Sequence, residues 1–223
     1  MSIAKTTTTA GSGPKPHHHA HHFESAEHEF SAAKLGLWVF LSTEILMFGG
    51  LFVGFFIFHG IYPEMFKEGS TFLDWRLGAV NTVVLLLSSF TIATSVYYAQ
   101  KNNQKAVVLN LAATIALGAV FMMIKYIEYA SKIEAGLLPG QLFSYEAAEA
   151  ANLGLYFSFY FCMTGLHGLH VLIGMGVMAW VLKRAINGEF GPGYYTPIEG
   201  IALFWHLVDL IWIYLFPLLY LVE

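Results

Sequence analysis

The sequence predicts an all-α integral membrane protein, a five-transmembrane-helix bundle with its N-terminus in the cytoplasm and its C-terminus outside. Four observations carry this. Hydrophobic residues make up 57% of the 223 and charged residues only 12%, against about 25% charged in an average soluble domain. Mean hydropathy is +0.59. Five stretches hold the roughly 20 mostly apolar residues that a spanning helix needs. Finally, the basic residues crowd onto one side of a five-span topology, and that side is the cytoplasmic one by the positive-inside rule.

Residues 1–30 form a disordered, His-rich cytoplasmic arm by composition. Thr6 to Ala10 is low-complexity, Gly11 to Pro16 is flexible, and His17, His18, His19, His21 and His22 cluster after them. The arm lacks the apolar core of a signal peptide. The cluster reads as a polar arm, as a transition-metal binder or as an appended tag. Glu24, Glu27, His28 and Glu29 suit a surface helix leading into the first span.

Residues 31–223 form the membrane domain, with spans at about 34–61, 72–99, 106–133, 152–182 and 197–222. Tyr62-Pro63 closes the first span and Gly69-Ser70 falls in the loop after it. Gln100 to Lys105 is a short polar hairpin. Gly136 to Ala151 is a longer loop holding Pro139-Gly140, Glu146 and Glu149. Asn187 to Thr196 is a turn-rich link. Lys5, Lys15, Lys34, Lys101, Lys105, Lys183 and Arg184 then share one side. Lys67, Arg76 and Lys132 take the other, among Glu64, Glu68, Asp74 and Glu134. Trp38, Trp180 and Trp75 are placed as interfacial anchors. The net charge of −4 argues against a nucleic-acid partner. Cys162 is the one cysteine, which excludes an internal disulfide; in its apolar run it reads as a small buried hydrophobe.

Polar residues inside the spans are the site candidates, because ionisable groups in a bilayer are costly and seldom idle. Glu44 lies about ten residues into the first span, roughly 15 Å deep. It reads either as a proton-linked, reagent-sensitive carboxyl or as an interhelical hydrogen-bonding group. Gly49, Gly50 and Gly54 follow and let a helix or lipid come close. His167 and His170 are three apart on the fourth span, as are His206 and Asp209 on the fifth, so each pair shares a helix face. Lys125 and Glu128 make a third such pair toward the outer end of the third span, read as self-neutralising near an interface with Lys125 snorkelling. His59 is placed to reach headgroups. Asn81, Thr82, Ser88, Ser89, Thr91, Thr94 and Ser95 suit helix packing.

These residues leave three classes open. Two imidazoles with carboxylates suit a metal or haem site, but the repeated Glu-x-x-His of di-metal bundles is missing. Glu44 and Asp209 suit a small ion-coupled transporter. Satisfied buried histidines suit a subunit with no centre of its own. There is no GxxxxGK[ST] nucleotide loop, and the short loops leave little room for an extramembrane active site.

Four segments together resemble subunit III of the haem-copper oxidases, in a short five-helix form. They are Trp205-His206-Leu207-Val208-Asp209-Leu210-Ile211-Trp212, the stretch from Gly165 through His167, Gly168 and His170 to Gly174, Ser42-Thr43-Glu44 with Phe48 and Gly49, and Asn81-Thr82 with Ser88-Ser89. The resemblance covers about Lys34 to Val222. It departs in lacking the two leading helices of many members, in Lys125 where glutamine is frequent, and in Phe204 before Trp205. The ending from Phe216 to Tyr220 is also similar to subunit-III-like proteins linked to nitric oxide reduction.

The resemblance implies an accessory subunit of a respiratory terminal oxidase in a bacterial cytoplasmic membrane, with no catalytic residue and no metal of its own. It implies haem and copper in partner subunits I and II, cytochrome c as an indirect donor, bound phospholipid, and possible membership of a respiratory supercomplex. A quinol oxidase is the alternative. Glu44 becomes the carbodiimide-reactive glutamate. His167, His170, His206, Asp209, Lys125 and Glu128 become a buried polar network, and Gly49, Gly50, Gly54, His59 and Trp38 lipid-cleft or packing positions.

Overall fold

The computed structural model describes residues 26–145 and 152–221, which form six α-helices and a short 3-10 turn at Gly140–Leu142. The helices are α1 (Ala26–Ile61), α2 (Pro63–Thr71), α3 (Trp75–Gln100), α4 (Gln104–Glu134), α5 (Leu153–Ile186) and α6 (Thr196–Tyr220). All but α2 are long and apolar enough to cross a membrane. The His cluster, Glu146, Glu149 and Val222 lie outside the described residues.

Helix ends follow local chemistry. The expected start at Phe72 moves to Trp75, because the Asp74 carboxylate accepts the Arg76 N–H at 2.8 Å and caps α3. Asn103 caps α4 in the same way, accepting from Ala106 at 3.2 Å. α1 starts eight residues before the expected Lys34 and takes in Glu27, His28 and Glu29, the helix expected to lead into the span. The fourth span continues to Ile186, past the expected 182.

α2 is a helix where a turn and loop were expected. Pro63 takes the first helical position, where its missing N–H costs nothing. Met65, Phe66, Gly69 and Ser70 then bury one face. Phe66 packs edge-on to Phe55 at 4.7 Å and to Tyr156 at 5.6 Å, so α2 folds back over α1 and α5.

α3 and α4 run antiparallel, stitched by Thr91–Thr114 and Thr94–Asn110 hydrogen bonds of 2.7 Å each. α6 lies between α3 and α5 and supplies the centre of the bundle with Trp205 and Trp212, both fully buried. Trp205 Nε1 donates to Ser88 Oγ at 2.9 Å and Trp212 Nε1 to Thr82 Oγ1 at 3.1 Å. A buried indole needs an acceptor, and the small hydroxyls of α3 provide it. α1 packs along α5 and α6 with its outer side open; Leu46 is 75% exposed.

Cys162 is exposed, which corrects its reading as a buried hydrophobe. α5 turns Tyr160, Met163, Thr164 and His167 inward, and position 162 falls nearly opposite them at 3.6 residues per turn. Outward positions of a membrane helix are also apolar, so an apolar run cannot mark the inside. Trp38, Trp75 and Trp180 all face outward. Arg184 lies over the Trp180 ring at 4.8 Å and Arg76 over Trp75 at 5.7 Å.

Candidate functional site

The polar residues of the spans gather in three separate places rather than one. In the first, Glu44 of α1 meets His170 of α5, Oε2 to Nε2 at 2.8 Å. His170 Nδ1 lies 2.7 Å from the Leu166 carbonyl oxygen, which can only accept, so Nδ1 carries a proton. Nε2 then faces the carboxyl with a single proton between them. Phe48 packs edge-on to the imidazole at 5.3 Å. The His170 and Glu44 side chains are 11% and 14% exposed, so the carboxyl keeps a small opening at the surface of the chain.

In the second, Ser89 of α3 bridges two residues of α6. Its Oγ lies 2.8 Å from His206 Nδ1 and 2.5 Å from Asp209 Oδ2. Asp209 Oδ1 is buried with no hydrogen-bond partner.

The third is a closed cage at the far end of α4. Lys125 Nζ donates to Glu128 Oε2 at 3.0 Å, to Tyr160 Oη at 3.2 Å and to Tyr220 Oη at 2.9 Å. Both tyrosine hydroxyls donate onward to Glu128 Oε1, at 2.8 and 2.5 Å. Rings of Tyr129, Tyr160, Trp212 and Tyr220 stand within 5.1–5.6 Å of the ammonium. Lys125 is 6% and Glu128 2% exposed, so the expected snorkelling lysine is corrected. The aromatic side chains of α5 and α6 cover it and supply the acceptors that water would otherwise provide.

His167 joins none of the three. Its ring is fully buried beside Phe121 at 5.5 Å and Trp212 at 5.3 Å, and neither nitrogen has a partner. Residues three apart sit roughly 60° apart around a helix, enough to send His170 to α1 and His167 to α4 and α6. Among the described residues, no three His, Cys, Asp or Glu converge as metal ligands.

The lipid-cleft and packing candidates divide differently from expectation. Among the described residues, nothing lies within 4 Å of a Cβ added at Gly49 or Gly50, and one added at Gly54 would meet Phe159 at 3.7 Å. His59, half-buried, stacks on Phe55 and packs against Phe66 of α2. The most closely approached helical glycines are Gly69, against Tyr156, and Gly78, against Phe216; Gly118 and Gly174 both lie close to Trp205. Ser89, Tyr160 and Tyr220, which tie the clusters together, were not singled out as site residues; Ser89's signal was its place among the hydroxyls of the second span.

The family model for cytochrome c oxidase subunit III matches residues 17–223. The chain is 29% identical to a probable quinol oxidase subunit 3 of Staphylococcus haemolyticus, over 92% of this chain and 96% of that protein. It is 33% identical to cytochrome c oxidase subunit 3 of Thermostichus vulcanus, over 83% and 85%. The corresponding probable quinol oxidase subunit of Staphylococcus aureus strain USA300 is 28% identical over 92% and 96%. With five helices able to span, this is a multi-pass protein of a bacterial cytoplasmic membrane. On its match across nearly the whole sequence, the chain belongs to the cytochrome c oxidase subunit III family.

Proposed function

We propose that the chain is the non-catalytic subunit III of a bacterial cytochrome c oxidase that couples electron transport to proton pumping. It packs beside the catalytic subunit I and with subunit II, holds phospholipid, and sustains proton uptake during turnover. Haem and copper belong to the partner subunits. The observation that supports this reading is the Glu44–His170 pair, a carboxyl hydrogen-bonded to an imidazole midway along an apolar helix and partly exposed. A second reading, subunit III of a quinol oxidase, is favoured by the longer coverage of the staphylococcal relatives.

Glu44→Gln is expected to leave the haem content of the purified complex unchanged and to shorten its active lifetime during sustained turnover. Loss of haem with assembly preserved would defeat the reading. The donor follows from the same preparation: oxidation of cytochrome c selects the first reading, and oxidation of quinol the second. In this reading the end bearing Lys34, Lys101 and Lys183 faces the cytoplasm. A cysteine replacing Asn102, in the turn between α3 and α4, should then react with a membrane-impermeant maleimide from the cytoplasmic side alone.

A further inference from the structure

α6 forms the floor of a groove between α1 and α3. On one flank, Phe40 of α1 packs against Phe204, Leu37 approaches Gly200, and Phe52 packs against Tyr214. On the other, Ser89 and Thr82 of α3 bond to His206, Asp209 and Trp212. Between the flanks, α6 presents half-buried His206 and exposed Leu210, Ile213 and Pro217, a row at helical spacing. At the end bearing Lys34, the groove opens into a cleft of about 510 Å³ beside the Lys34–Glu199 ion pair of 3.2 Å.

His206 makes this more than an apolar surface. Ser89 has one hydroxyl proton for two polar neighbours. Where it goes to Asp209, His206 Nδ1 carries a proton and Nε2 is a bare acceptor. Where Asp209 donates to Ser89 instead, the hydroxyl proton goes to Nδ1, and Nε2 becomes a donor. In either arrangement Nε2 is a hydrogen-bonding atom with no partner among the described residues. Asp209 Oδ1 is unpartnered as well, but buried, so Nε2 is the atom of this cluster whose polar demand the described residues leave to a neighbour.

Depth decides what meets it. His206 is ten residues from the start of α6 and fourteen from its end, about 15 Å or more from either end of the helix at 1.5 Å per residue. Lipid esters and headgroups sit at the interfaces, and acyl chains form no hydrogen bonds. A lipid fills such a groove but leaves Nε2 unsatisfied; a helix with a hydroxyl or carboxamide side chain does not. We propose that this groove docks a transmembrane helix of another oxidase subunit, which lays a Ser, Thr, Asn or Gln side chain against His206 Nε2. The row of Leu210, Ile213 and Pro217 gives that helix its packing surface. The proposal rests on the reading of the chain as an oxidase subunit.

The test places a photoreactive benzoylphenylalanine at Leu210 in the intact complex, in its native membrane. Irradiation is expected to link it to a membrane-spanning segment of another oxidase subunit, within one helical turn of a Ser, Thr, Asn or Gln. His206→Leu should lower that yield about threefold, the strength of an average interhelical hydrogen bond in a bilayer, and His206→Gln should restore it. Cross-links to lipid alone, or a yield indifferent to His206→Leu, would overturn the docking site while oxidase subunits still co-purify. Absence of any oxidase subunit from the preparation would overturn the subunit reading with it.

Discussion

Replacing Lys125 with methionine is expected to destabilise the bundle by about 3–5 kcal/mol, because removing one partner leaves the other charge buried and uncompensated. The wild-type cage is closed: three ammonium donors meet three acceptors, and each tyrosine hydroxyl accepts from Lys125 and donates to Glu128. Without Lys125, Glu128 keeps its two tyrosine donors on Oε1 and nothing on Oε2. The charge cannot escape to water, since Glu128 is 2% exposed.

A second substitution separates charge from shape. Lys125→Met with Glu128→Gln removes both charges yet keeps an amide oxygen for the Tyr160 and Tyr220 hydroxyls. It should recover most of the loss, since replacing both members of a buried ion pair is often close to neutral. Unfolding midpoints of the detergent-purified chain report both values. A wild-type midpoint for the single variant would show that the ammonium is not where the cage puts it. Tyr220 closes the cage from the last residue of α6, so the single variant should also expose that end of the helix to proteolysis first.

Which parts of this were legible in the sequence follows from what each signal measures. Length and hydropathy found all five spans, because a bilayer demands a near-continuous apolar run. Spacing found the Lys125–Glu128 contact, because it is made within one helix. It could not tell a buried pair from a snorkelling one: the difference lies in Tyr160 and Tyr220, which are 35 and 95 residues from Lys125. The same limit separates His167 from His170, whose neighbours come from different helices. Cys162 and α2 failed for another reason. In a membrane protein the outer face is apolar too, so hydropathy loses the inside–outside contrast that it has in water. Short amphipathic α2 is the one helix that keeps this contrast, in its burial of Met65 and Phe66 beside exposed Glu64 and Lys67, but Pro63 and Gly69 gave it the look of a loop.

Glycines test the packing most directly, since an identical substitution has opposite consequences at two positions. Gly174→Leu is expected to destabilise the chain by about 1–3 kcal/mol through overpacking. The first added carbon would stand 3.0 Å from the Trp205 ring and 3.1 Å from Phe204. Trp205 has little room to retreat, because the adjoining ring atom, Cη2, lies against Gly118, where an added carbon would be 3.1 Å away, and its Nε1 is held by Ser88 at 2.9 Å. The strain therefore passes to the backbones, and α5 must part from α6. Gly50→Leu adds the same atoms to α1, where nothing of this chain lies within 4 Å. Its effect on the purified chain should stay within about 0.5 kcal/mol, as for substitutions away from packed features. Equal losses at the two positions would mean that α1 packs its glycine face inward. Unequal losses, with Gly50→Leu weakening retention of the chain in the complex instead, would mean that its smooth side serves a neighbour. Glycine pattern alone cannot make that distinction, because a residue without a side chain carries no record of what approaches it.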